Sequence, residues 1–141
     1  MTKDERHLLI EDLSARLPFG VMVREGEYGK PTKLWSLGIL ELGTCDRAYF
    51  NNGLNNESYY IERIKPYLRP LNDMTAAEDA IRIKLGIWCK DGVNGHEALL
   101  GIDGDAARGM RWLLRKHFDV NGLIPMGLAL EAKDLYETRE V

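Results

Sequence analysis

The chain is 141 residues long, 45% hydrophobic and 29% charged, with a formal net charge of -3. That is enough chain to bury a sizeable core without disulfides or a metal, and the composition is that of an ordinary soluble globular protein. It excludes a globally basic nucleic-acid binder, leaving room only for a local basic patch, and no uncharged run approaches the ~18 residues of a membrane span. A single domain over residues 1–141 is expected. Cys45 and Cys89 form no Cys-x-x-Cys pair and read as reduced thiols. The first residues lack the apolar run of a signal peptide, so the expected location is the cytoplasm.

Thr2 with Glu5 three positions later predicts a capped helix, whose apolar stripe is Leu9, Leu13 and Leu17 and whose stop is Pro18. Glu11 and Asp12 are expected on its solvated face. From Gly20 to Leu71 the period changes to two. Val21 and Val23 predict a first strand, Trp35, Leu37 and Ile39 one face of a second, and Tyr49 and Phe50 the end of a third. Asn51, Asn52 and Gly53 suit the turn that follows. Tyr59 through Ile64 predict a fourth strand, and Pro66 and Pro70 then limit the chain to a helical turn and a short edge strand. So many short strands in residues 20–71 predict a small curved antiparallel sheet, closed as an SH3-like barrel or left as an open curled sheet. Thr75 and Glu78 predict a second capped helix, reaching Leu85. The glycine-rich residues 86–104 read as a hairpin or a loop. Asp103 or Asp105 caps a third helix ending near His117 or Phe118, and Leu123 to Ala132 read as an extended tail that packs back on the domain. The fold class is therefore α+β: an N-terminal helix, a small curved sheet, two further helices and an extended C-terminal tail.

The third helix carries the main candidate surface. At about 100° per residue, Ala106, Met110, Leu113, Leu114 and His117 share one side. Arg108, Arg111 and Arg115 share the other, with Trp112 among them and Lys116 at their edge. A row of arginines beside an aromatic suits a phosphate backbone with a base to stack. The plainer alternative is a solvated basic face, with Trp112 covered by arginine stems or packed on a second layer. Tyr49, Tyr59, Tyr60 and Tyr67 are candidate groove aromatics for a peptide or bases, or else core and half-buried strand pairs. Arg16 and Arg69, at element boundaries, suit pairing with a carboxylate or carbonyl that fixes a helix on the sheet. His117 and Asp119 read as a helix-end histidine and a local turn in preference to a metal or acid/base pair.

Several motifs fail on spacing. Gly26 to Thr32 lacks the spacing of a phosphate-cradling loop. Asp103 and Asp105 resemble the start of a calcium loop whose twelfth position would be Leu114, where a glutamate is required. Ser14, Ser36 and Ser58 lie in no nucleophile elbow. No catalytic residue, cofactor or metal is expected.

Four stretches carry a resemblance: Asp12 through Val21, Ile64 through Leu71, Met74 and Thr75 with the acidic helix start after them, and Trp112 through Ala132. On these the chain resembles a family of small uncharacterised proteins encoded by gut Bacteroidetes, often within prophages and other mobile elements. The family pattern has two histidines before the step matching Phe118 and Asp119, and an aromatic-basic pair before Gly122. Lys116 replaces the first histidine here, and Val120 with Asn121 replaces the pair. The resemblance implies a soluble bacterial or phage-derived protein and no substrate, cofactor or reaction. The leading expectation is a non-catalytic binding or adaptor protein of a mobile element, contacting another protein. Nucleic-acid binding through Arg108, Arg111, Trp112, Arg115 and Lys116 is the alternative, and an enzyme acting on a small anionic ligand a third.

Overall fold

A computed structural model of the chain describes residues 1–38, 47–51, 56–92 and 95–136, and gives only the backbone of 49–51 and 56–58. The fold is α+β, and its contacts divide it into two compact units, Met1–Tyr67 and Leu68–Val141. No helix among the described residues is long and apolar enough to cross a membrane.

In the first unit, α1 spans Lys3–Arg16. The Thr2 hydroxyl accepts the Glu5 N–H at 3.0 Å, and the Glu5 carboxylate accepts the Thr2 N–H at 2.8 Å. Two amides that the first turn leaves without helical partners are thereby satisfied. The buried face is Leu9, Asp12, Leu13 and Arg16. Asp12 therefore departs from the solvated face expected for it. Its carboxylate is held by the Arg16 guanidinium one turn later, at 2.7 and 3.2 Å, and the two enter the interior as a pair. Pro18 then opens a 3-10 turn over Leu17–Phe19, and Gly20, at φ 73°, ends it.

Five strands follow: β1 (Met22–Glu25), β2 (Thr32–Gly38), β3 (Arg47–Asn51), β4 (Asn56–Tyr60) and β5 (Ile64–Leu68). They pair antiparallel in the spatial order β4-β3-β2-β1-β5. Among the described residues β4 is an edge, so the sheet is open and no barrel closes. Val21 and Val23 are buried, as alternation predicts. On β2, Leu34 is buried and Trp35 is 61% exposed. With Leu34 inward, alternation points Trp35 outward, and the register with β3 shifts between Leu34 and Ser36. Ile39 and the turn expected at Asn52 and Gly53 lie outside the described residues. The fourth strand is cut short by a 3-10 turn over Ile61–Arg63, although Ile61 and Ile64 both stay buried.

In the second unit, a 3-10 turn at Leu71–Asp73 leads into α2 (Ala76–Lys84), whose capping box joins Thr75 and Glu78. Residues 86–104 hold a hairpin, β6 (Ile87–Asp91) with β7 (Glu97–Ile102). Next come α3 (Ala106–Arg115), capped by the Asp105 carboxylate on the Arg108 N–H, and the two-residue β8 (Leu130–Glu131). The tail is mostly folded into turns where an extended segment was expected. The Asp119 carboxylate accepts the N–H groups of Leu123 and Ile124 at 2.8 and 2.9 Å, and the Gly127 N–H reaches the Ile124 carbonyl. Those local bonds outcompete extension. Leu123, Leu128, Ala129 and Ala132 are nonetheless buried, and the Ala132 N–H donates to the Leu68 carbonyl at 2.8 Å. The core is Leu71, Ile87, Trp112, Leu113 and Phe118, with Ile81, Leu85, Leu99 and Ile102 packed against it.

Gly86 joins α2 to β6 at φ 71°, and its carbonyl accepts the Asp103 N–H at 2.8 Å. A Cβ at this position would run into the Asp103 carbonyl oxygen, which is backbone and cannot swing aside. Gly86→Ala is expected to cost about 2–4 kcal/mol, the sum of left-handed strain and overpacking. Urea unfolding checks this, and a loss no larger than that of an exposed substitution would contradict the packing described.

Candidate interaction surface

α3 presents two faces. Gly109, Trp112 and Leu113 are buried, and Gly109 lets the helix sit close to the hairpin, since a Cβ there would lie 3.0 Å from Ile102 and 3.5 Å from Ile87. Arg108, Arg111 and Arg115 are exposed on the opposite side, as their spacing predicts. At ~1.5 Å of rise per residue they stand roughly 4.5 and 6 Å apart along the axis. Trp112 leaves this surface. It is 5% exposed, with its ring centroid 5.9 Å from that of Phe118, so it belongs to the core and offers no free ring to a base. Lys116 is half-buried at the C-cap, and Ala106, expected on the apolar side, is exposed.

The end of α3 explains the neighbouring residues. The Phe118 N–H donates to the Leu113 carbonyl and the His117 N–H to that of Leu114, both at 3.0 Å. This is a Schellman reversal with His117, at φ 66°, in the place usually taken by glycine. The His117 ring stacks on Tyr136 at 3.6 Å and 12°. With the Asp119 carboxylate occupied by backbone amides, the His117 and Asp119 pair shapes a turn.

Beside it lies a buried ionic junction. Arg69 bonds Glu78 in a bidentate fork, at 2.8 and 2.7 Å, with both side chains out of solvent. The same guanidinium reaches the Asp73 carbonyl at 3.2 Å and lies 4.3 Å over the Phe118 ring. On the backbone, Arg69 donates to the His117 carbonyl and accepts from the Asp119 N–H, both at 2.8 Å. Burial pushes the Glu78 carboxyl up, but the bonds from Arg69 and from the Thr75 N–H, with the guanidinium charge, outweigh it and hold the group below the usual carboxylate range. Arg69 thus has the carboxylate partner its boundary position suggested, but it fixes the start of α2 against the end of α3, where a helix-to-sheet tie was expected.

Three of the exposed large apolar residues of this unit lie on α2 and the hairpin, and Met126 is a fourth. Ile87, Cys89, Leu99 and Ile102 face the core, while Trp88 and Leu100 point outward, 53% and 63% exposed. Ile83, near the end of α2, is 64% exposed. The Trp88 indole N–H donates to the Asp103 carboxylate at 2.7 Å, which fixes the ring's orientation. Trp88 stands near the start of the glycine-rich residues 86–104, and its alternation with Ile87 and Cys89 marks an outward strand position. Between α2 and α3 runs a groove of about 410 Å³ lined by Ile81, Lys84, Leu85 and Arg108. Among the described residues, the side chains of Lys84, Arg108, Arg111 and Arg115 make no hydrogen bond or ion pair.

The four tyrosines do not come together. Tyr59 and Tyr60 are consecutive on β4 and so point to opposite faces. Tyr60 is exposed beneath the Arg47 guanidinium, 4.5 Å from its ring. Tyr67 lies on β5, with three strands between it and β4. The side chain of Tyr49 lies outside the described residues. Burial raises the Cys89 thiol, leaving it protonated near neutral pH, and Cys45 lies outside the described residues. No cluster of His, Cys, Asp or Glu among the described residues could hold a metal ion. No family model, curated protein or solved structure matches the chain.

Proposed function

We propose that the chain is a non-catalytic binding protein that docks a partner protein on its second unit. The proposed setting is a prophage or mobile element in the bacterial cytoplasm, a reading supported by the resemblance to proteins of gut Bacteroidetes. The observation that carries the docking role is the outward set of Ile83, Trp88 and Leu100, each more than half exposed. Trp88 and Leu100 sit on the paired strands of one hairpin. Exposed large apolar side chains brought together in this way mark interaction sites, and a tryptophan already held in one orientation loses little freedom on binding. A peptide-display selection tests this, with Ile83→Ser/Trp88→Ala/Leu100→Ser as the counter-target. Selected peptides should bind the still-folded variant at least about tenfold more weakly, a step of ~1.4 kcal/mol. Equal binding to both proteins would remove this surface from consideration.

The unpaired cations Arg108, Arg111 and Arg115 favour nucleic-acid binding as a second reading. On the docking reading, labelled single-stranded DNA, duplex DNA and RNA should show no saturable binding at physiological salt. Binding that weakens steeply with salt, and disappears on reversing these charges to glutamate, would instead establish the second.

A further inference from the structure

We infer that the groove between α2 and α3 receives an apolar side chain from an acidic segment of the partner protein, which rests on the docking role proposed above. Its floor is aliphatic: Ile81 and Leu85 are half-buried and pack on the core. Its rim is cationic, with Lys84 at the end of α2 and Arg108 in the first turn of α3. Arg108 gains nothing from its own helix. A cation at a helix N-terminus opposes the dipole, and no carboxylate pairs with this one. Arg111 and Arg115 continue the positive rail one and two turns further along.

The complement to an aliphatic floor with such a rim is an apolar anchor flanked by Asp or Glu. A volume of about 410 Å³ lies within the range of small ligand pockets and suffices for a large side chain. Nucleic acid fits less well. The floor offers no flat face to a base, and Trp112 is buried.

Fluorescence anisotropy with short labelled peptides tests the inference on the whole protein. One amphipathic peptide combines leucine with glutamate, a second leucine with lysine, and a third serine with glutamate; single-stranded DNA is the fourth probe. The leucine/glutamate peptide is expected to bind saturably and more tightly than the other two. Lys84→Glu/Arg108→Glu, both exposed positions, should raise its Kd at least about tenfold with an unchanged Tm. If the glutamate and lysine peptides bind alike and both lose affinity in Trp88→Ala, the docking role stands and the acidic partner is overturned. If the leucine/glutamate peptide binds the charge-reversed variant undiminished, the groove is not its site and the inference fails. Binding by DNA alone, or by no probe, overturns both.

Discussion

Replacing Arg69 with methionine is expected to destabilise the protein by about 3–5 kcal/mol, the usual cost of stranding one member of a buried ion pair. Glu78 would keep the Thr75 N–H at 3.0 Å but lose both arms of the guanidinium fork. The Asp73 carbonyl would lose a donor, and the Phe118 ring a cation. Removing both charges should hurt far less. Arg69→Met/Glu78→Leu should recover most of the loss, short of the roughly 1 kcal/mol that the Glu78 cap supplies to α2. Urea unfolding followed by circular dichroism measures all three proteins, and a single-variant loss under 1 kcal/mol would mean the junction is open to water. The same pair shapes acid stability. Glu78 binds its proton less tightly in the folded protein than at the ordinary value of 4.5. Its contribution is therefore complete above that value and is lost as pH falls through the lower folded value. Glu78→Gln should flatten that part of the stability profile.

Arg16→Met is expected to cost a similar amount, about 3–5 kcal/mol, in the first unit. Asp12 and Arg16 are both fully buried, and the substitution would leave the Asp12 carboxylate without the 2.7 and 3.2 Å bonds that compensate its desolvation. Asp79 and Arg82 provide the contrast. They form a comparable short-range pair on α2 with Asp79 about half exposed, and Arg82→Met should cost only about 0.3–0.5 kcal/mol through that contact. Both pairs have good geometry, so what separates them is water. Denaturant midpoints for the two variants decide the matter, and equal losses would contradict the burial of the α1 pair.

What could be read from the residues was whatever is decided within a turn or two of chain. Thr2 with Glu5, and Thr75 with Glu78, form their capping boxes because both partners lie on the same local backbone. Arg108, Arg111 and Arg115 share an exposed face because helical geometry alone puts them there. Arg16 and Arg69 were legible as pairing residues from their boundary positions, though not their partners' depth of burial. What tertiary contact decides was not legible. Asp12 looks solvated until Arg16 neutralises it, and Trp112 sits beside the arginines on a helical wheel until Phe118 claims its ring. The register shift beside Trp35 leaves no trace in a hydrophobic pattern. α3 ends at Arg115, earlier than expected, because a histidine takes the left-handed position that a glycine would have announced.

Helix ends ordinarily open and close on their own, which lets their amide hydrogens exchange with solvent long before the rest of a domain unfolds. The first turn of α2 should behave otherwise. One Glu78 oxygen accepts both the Thr75 N–H and the Arg69 guanidinium, so that turn cannot loosen without uncovering a buried charge at the end of α3. The Thr75 amide is thus expected to be protected almost as strongly as those of the surrounding core. The Thr2 amide, held by an exposed capping box with no such tie, should exchange early. Equivalent local sequences would then show protection differing by orders of magnitude, set by what each glutamate does with its spare oxygen.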